Sequence, residues 1–456
     1  MQPIVRFILV GLILTSLSGS ILTAQDSEAD SIDCPAEPVT LNVAAGAVGQ
    51  ELELTQKLLD RYVQRCPNAI VHALQPPDLA NDRLGFYRFT LGMGDSDIDV
   101  YQIDVTWPGL LAGHFVNIYE YVSPDSPQIQ QHFPQTIENN TVDGRLVALP
   151  WFTDVGLLYY RTDLLEKYNL DVPTTWDELE AAARTIQEGE RSEGNSQFWG
   201  YIWQGNPGEA TAISALEWQA SHGGGTIITP EGEVQVNNPE TILALQRAAN
   251  WIDTISPPTV LGHGAGASLP IWQAGNAAFM RNWPFAYSVS NSPDVSLVAG
   301  KFAITQLPAV SPELRTGVLG GWQLAVSRYS RHPEAAVSLA LYMTSPEAQK
   351  LRAIEGGLLP TIATLYDDLE ITEGQPLIGH MLQIVAGAVP RPSTVTGDQY
   401  DVVSRLYSDA VSAVLQGALS AEDALQALET DLNDLVETEG IGTANRDSAQ
   451  TSTTSG

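Results

Sequence analysis

From residue 38 onward, short β-branched and aromatic runs alternate with longer amphipathic stretches, and this alternation confines the chain to the α/β class. Strand patterns fall at Val39–Ala44, 98–103, 146–149, 155–160, 199–203, 277–281, 302–307 and 323–326. Helix-start signals stand between them. Thr175-x-x-Glu178 is a capping box. Asn238-Pro239, His332-Pro333 and Ser345-Pro346 put proline at a first helical position, and Ser420-x-x-Asp423 opens a last helix. Strands separated by helices imply mostly parallel sheets. With 456 residues there is enough chain for two domains. Leu-Pro in "ALPWF" (148–152) and "TQLPAV" (305–310) interrupts a strand and marks a candidate crossing between two lobes. Such crossings would make a hinged cleft, a favoured place for a ligand. The tail "RDSAQTSTTSG" has nothing to bury and is expected to be disordered.

Composition narrows the partners. Against 54 Asp+Glu stand only 22 Lys+Arg, a net charge of −32, which repels nucleic-acid phosphates and anionic lipid headgroups. With 44% hydrophobic residues, most of the chain should be globular rather than disordered. Arg6 precedes "FILVGLILTSLSGSILTA", which then turns acidic, the pattern of a secretory signal peptide ending near Ala24. An uncleaved membrane anchor is the other reading of that stretch. Export makes a Cys34–Cys66 disulfide the default expectation for the two cysteines. Cys34 precedes a strand and Cys66 closes the following helix, whose end returns near the strand's start. Two separate buried thiols are the alternative. A zinc site is not supported, since no His stands at finger spacing.

Enzyme signatures are mostly missing. The seven His show no metal-ligand spacing, there is no G-x-S-x-G elbow, and no Walker A is present. "GHGAGAS" (262–268) does not follow a strand and open a helix as a dinucleotide loop should, and reads as a flexible loop. A pair of carboxylates is all a glycosidase needs, so a secreted glycoside hydrolase stays open as the enzymatic alternative.

Five stretches pair Trp or Tyr with isolated polar groups at strand ends: "YQIDVTWPG", "WFTDVGLLYYR", "WGYIWQG", "MRNWPFAYS" and "GGWQLAV". Trp176 and Trp251 lie on helix faces and are assigned to the core. In α/β sheets the ligand crevice lies at strand ends. Flat rings beside single Asp, Asn and Arg residues suit a sugar, covering C–H faces while carboxylates accept hydroxyl bonds. Asp154 is the sharpest case, because an ionised carboxylate in an apolar strand is costly without a partner.

At these residues the chain resembles the periplasmic solute-binding proteins of sugar ABC importers, specifically the trehalose/maltose-binding branch. The likeness runs over about residues 38–440, through "DVYQIDVTWPG", "ALPWFTDVGLLYYRTDLLEKY", "TTWDELEAAARTIQEGER", "FWGYIWQG", "GNAAFMRNWPFAYS", "LGGWQLAVSRYS" and "AVPRP". It implies an α/β two-lobed fold, the type II periplasmic-binding-protein fold. Residues 36–150 and 308–345 would form lobe one, and 151–307 and 346–440 lobe two, between a signal peptide at 1–24 and a tail at 441–456. Glu51 of "GQELELTQ" takes the place of an acid that meets the sugar, and Arg83 that of a ligand-contacting Arg. Asp104 and Asp154 match two carboxylates that accept hydroxyls from opposite lobes, with Trp107 and Phe152 beside them; Phe152 stands where some relatives have Tyr. Trp283 and Phe285 match an aromatic platform, Gly321-Trp322 a pair on the other lobe, and Arg391 a late sugar-binding Arg. The implied function is that of a non-catalytic, monomeric receptor without cofactor or metal. It would bind a small oligosaccharide such as trehalose or maltose by hinge closure and deliver it to membrane permease subunits. Sucrose or glucosylglycerol is the alternative ligand.

Overall fold

The computed structural model describes residues 33–442. The signal segment 1–24 and the tail from 443 onward lie outside the described residues. Among those described, eleven strands are present: β1 (Val39–Ala44), β2 (Ala69–Leu74), β3 (Val100–Asp104), β4 (Thr141–Val142), β5 (Arg145–Leu146), β6 (Leu149–Val155), β7 (Leu157–Arg161), β8 (Trp199–Ile202), β9 (Ala277–Asn282), β10 (Phe302–Gln306) and β11 (Leu319–Val326). A first sheet has the order β2-β1-β3-β11-β6 and a second β10-β7-β9-β8, while β4 and β5 pair alone. Helices flank both sheets, giving the two-lobed α/β architecture.

Both sheets are mixed, so the expectation of mostly parallel pairing is corrected. β1 is parallel to β2 and β3, and β8 to β9. β11 runs antiparallel to β3 and β6, and β7 antiparallel to β9 and β10. A strand–helix–strand unit forces parallel neighbours. β6 and β11 instead enter the first sheet on segments that connect it to the second, where no such constraint acts.

Pro150 corrects the reading of the first Leu-Pro pair, because it lies inside β6 rather than ending a strand. β6 is an edge strand, where a missing N–H is tolerated. Register slips between Trp322 and Gln323 of β11, opposite Phe152 and Pro150, leaving Trp151 as the extra residue. The chain then passes from the first sheet to the second at Gly156, between β6 and β7. Leu307-Pro308 follows β10 directly, as expected.

Local signals hold well. Thr175 and Glu178 make both bonds of the capping box, and Asn238, Ser345 and Ser420 each accept a backbone N–H of the first turn. Trp176 and Trp251 are buried with ring centroids 5.3 Å apart. On the helix Glu51–Arg65, buried Leu54, Leu58, Leu59 and Tyr62 form one stripe at helical spacing. Ile441 is also buried, so ordered packing extends just past 440. No helix of the described residues is long and apolar enough to cross a membrane.

Cys34 and Cys66 form the expected disulfide, with Cα atoms 5.2 Å apart. It ties the start of β1 to the end of the next helix and closes a loop worth about 3–4 kcal/mol by chain entropy. Replacing both cysteines with Ser should lower the unfolding free energy by about that amount in denaturant titrations. Ligand affinity should stay unchanged, because the bridge sits at the end of β1 opposite the cleft.

Candidate functional site

The strand ends of the two sheets face each other across a cavity of about 120 Å³. From the first sheet come Asp104 at the end of β3, Asp154 on β6, and Gly320, Gly321 and Trp322 on β11. Glu51, first residue of its helix, and Arg83, on the helix Ala80–Gly92, complete that wall. The opposite wall carries Gln204 and Asn206 after β8, Glu209 at a helix start, and Trp283 and Phe285 after β9. Arg391 arrives from a late loop. Nine of the eleven residues expected from the sequence thus line one cavity.

Two do not. Trp107 is buried behind it, edge-on to Tyr87 and to Trp322 at 5.7 Å, and so backs Trp322 rather than facing the cavity. Phe152 is buried against Trp151 and the Arg352 guanidinium. A second correction concerns the carboxylates. Asp104 and Asp154 lie in the same sheet, on either side of β11, where Asp104 pairs with Trp322 and Asp154 with Gly320. The polar side chains on the opposite wall are those of Gln204, Asn206 and Glu209, which the sequence reading did not name. Asp78 and Asn81 were also missed. Gln204 is the polar residue of one of the aromatic stretches, "WGYIWQG", and that is the one signal that could have found it. "GHGAGAS" contributes Gly264 and Ala265 to the lining, at the loop position expected.

The polar groups are unequally satisfied. Asp104 Oδ1 accepts from the Thr106 backbone N–H at 3.0 Å and hydroxyl at 2.7 Å, and meets Arg391 Nη2 at 3.0 Å. Glu209 accepts from Arg391 at 2.6 Å, Tyr400 at 2.5 Å and Ser404 at 2.7 Å. Arg391 therefore joins the two walls. Burial works against its charge, yet Asp104, Tyr400 and Glu209 raise its pKa overall. By contrast, Asp154 Oδ1, Arg83 Nη1 and Arg391 Nε are buried with no hydrogen-bond partner. Burial first, then the neighbouring Glu51 charge, holds the Asp154 carboxyl well above its ordinary range, partly offset by Arg281 and Arg352. Glu51 is raised by burial too, against the pull of Arg83 and Arg352.

Two of the rings stack on cations. The Arg83 guanidinium stacks 4.5 Å from the Trp322 ring, and that of Arg281 4.1 Å from Trp283. Arg281 is fixed in turn by a bidentate, buried pair with Glu217, at 2.8 and 2.5 Å, and donates to Gln204 at 2.9 Å. Gly320 leaves room between the ring and the carboxylate. A Cβ there would lie 2.8 Å from the Trp283 ring and 3.1 Å from Asp154 Cβ. Gly320→Ala should therefore weaken ligand binding at least 10-fold in calorimetric titration, an amount set by about 1.4 kcal/mol of displaced contact. Its melting temperature should move little.

Among the described residues no group of three or more His, Cys, Asp or Glu gathers as a metal site. A wider hollow of about 610 Å³ lies beside residues 33–39 and the helix Pro333–Met343. None of its lining side chains holds a buried unpartnered polar atom.

A model of the bacterial extracellular solute-binding protein family matches residues 78–350. The chain belongs to that family. It is 43% identical over 398 residues to a probable ABC transporter-binding protein of Deinococcus radiodurans, covering 87% of this chain and 94% of that one. It superposes on maltose-bound MalE3 of T. maritima with a TM-score of 0.81 at 34% identity, over 87% of this chain and 99% of the other. A mannitol-bound solute-binding protein of Agrobacterium vitis shares the fold, with a TM-score of 0.75 at 21% identity over 88% and 99% of the two chains. The family resemblance read from the motifs is borne out, as is the type II fold. A member of this family is a binding protein, not an enzyme, and works outside the cytoplasm.

Proposed function

We propose that this solute-binding protein is the receptor of an ABC sugar importer and binds a small oligosaccharide, most simply an α-glucoside disaccharide such as maltose or trehalose, in the cleft. One observation carries the reading: Asp154 presents a buried, unpartnered oxygen beside the Trp283 ring. A sugar hydroxyl supplies the missing donor, and the C–H face of the same sugar fits the ring. Unpartnered nitrogens of Arg83 and Arg391 add donors for further hydroxyls. The likeness to the maltose-bound MalE3 supports the ligand class.

Binding would proceed by hinge closure. The sugar docks on the first-sheet lobe through Glu51, Asp104 and Asp154, and contacts from Trp283, Phe285 and Gln204 favour the closed state. Membrane permease subunits would recognise that state in a monomeric receptor exported by the signal at 1–24, cleaved or retained as an anchor. The lobes remain as proposed, 36–150 with 308–345 and 151–307 with 346–440, except that β6 keeps to the first sheet through Val155, which favours a first crossing at Gly156 and a second at Leu307-Pro308.

A thermal-shift panel of trehalose, maltose, sucrose and glucosylglycerol tests this. At 100 times Kd, one of the disaccharides should add about 2.7 kcal/mol of stability. A flat response to all four sugars would overturn the sugar reading.

A further inference from the structure

Arg352 forms no ion pair or hydrogen bond among the contacts described so far. It lies on the helix Pro346–Gly356 and is 1% exposed. Its guanidinium sits 3.7 Å from the centroid of the Trp151 ring and 4.7 Å from that of Phe152. None of its three nitrogens has a hydrogen-bond partner. Burying a cation that no hydrogen bond satisfies is costly, and two aromatic faces return only part of that cost. Stability alone does not account for such a residue.

The charges that act on Arg352 are those of Glu51 and Asp154. Both are cavity-lining carboxylates, and both feel Arg352 in return. Burial lowers the pKa of Arg352 to about 9, so it stays cationic at neutral pH. Around Asp154 stand Glu51, Arg281, Arg352 and Asp104, with Tyr159 and Tyr366 also near. Around Glu51 stand Arg83, Arg352, Gln102 and Asp78. Arg83 is held over Trp322 and Arg281 is held by Glu217. That leaves Arg352 as the charge shared by both carboxylates, stacked on an aromatic pair that lies outside the cavity lining.

We propose that Arg352 is a positioning residue of the cleft: from its place on Trp151 and Phe152, its fixed charge keeps Glu51 and Asp154 charged, and so able to accept hydroxyl bonds from the ligand. This rests on the reading of the cleft as a sugar site. Arg352 touches no ligand; it acts through the two carboxylates. The aromatic rings hold the guanidinium in place without neutralising it, which a carboxylate partner would do.

The test is the dissociation constant for maltose between pH 4 and 8, for the wild type and for Arg352→Gln, Arg352→Met and Arg352→Lys. Wild-type affinity should fall on the acid side as the carboxylates take up protons. In the Gln variant the midpoint of that fall should move up by about one pH unit or more, the range expected when a close opposite charge is removed. Affinity at pH 8 should return toward that of the wild type. The Met variant keeps the packing on both rings and should show the same shift if Gln disturbs folding. Lys keeps the charge and should keep the wild-type midpoint. An equal loss at every pH with an unmoved midpoint in both Gln and Met would overturn the proposal. If the wild type binds trehalose and not maltose, the same titrations are read with trehalose; binding of neither at any pH would overturn the sugar reading on which this inference rests.

Discussion

Asp154→Asn should weaken sugar binding by about 10- to 100-fold while leaving the ligand-free protein at least as stable as the wild type. The loss follows from one charge-assisted bond, about 1.5–3 kcal/mol. The stability result has the opposite sign for a definite reason. Burial holds the Asp154 carboxyl above its ordinary range, so the folded protein binds the proton more tightly than the unfolded chain does. The contribution of this group to stability is full below the unfolded value of about 3.9 and is lost as pH rises through the folded value. At pH 7 the wild type bears that loss and Asn does not. Melting curves should therefore place the Asn variant level with the wild type or above it at pH 7, with the gap closing toward pH 4. A variant that binds sugar normally, or one that melts far below the wild type at pH 7, contradicts the assignment.

The other large effect is expected away from the ligand. Glu217→Ala strips Arg281 of its bidentate partner at a position where both side chains are 1% exposed. Leaving a buried charge unpaired costs about 3–5 kcal/mol, to be read from the shift of a denaturant midpoint. Glu217 also accepts the Val318 backbone N–H at 3.1 Å, just ahead of β11, so that strand's entry into the sheet loosens as well. The double replacement Glu217→Leu with Arg281→Met should recover most of the stability, because apolar side chains fill the site without an orphaned charge. It should not recover affinity. Trp283 would lose the cation stacked on its ring, and Gln204 its fixed donor. Restored stability together with restored affinity would show that the pair serves the fold alone.

Much of this molecule is legible in the residues themselves. Helix starts were readable because a cap is a local event: Thr175 and Glu178 satisfy each other within one turn. The Cys34–Cys66 bridge followed from a strand and a helix adjacent in sequence. Aromatic stretches at strand ends led to the cleft, since "MRNWPFAYS" and "GGWQLAV" carry Trp283 and Trp322 to its two walls. What could not be read depends on distant pairing. Nothing in "WFTDVGLLYYR" tells that β6 lies at the edge of the first sheet, beside β11 from far along the chain, so Asp154 and Asp104 were placed on opposite lobes. The same stretch holds Phe152, whose ring turned out to pack on Arg352 rather than face a ligand. Arg352 and Glu217 have no local mark at all, and Arg281, although within "MRNWPFAYS", gives no sign of the partner it finds. An arginine within "PEAQKLRAIEGG" looks like a solvated helix face until the fold buries it.

The account stands most directly on calorimetric titration of the intact protein with maltose and trehalose, followed by chromatography of the recovered sugar. Saturable one-to-one binding of at least one of them, with the disaccharide returned unchanged and the heat lost in Asp154→Asn, is the predicted result. Release of monosaccharide, or no saturation with either sugar, would contradict it.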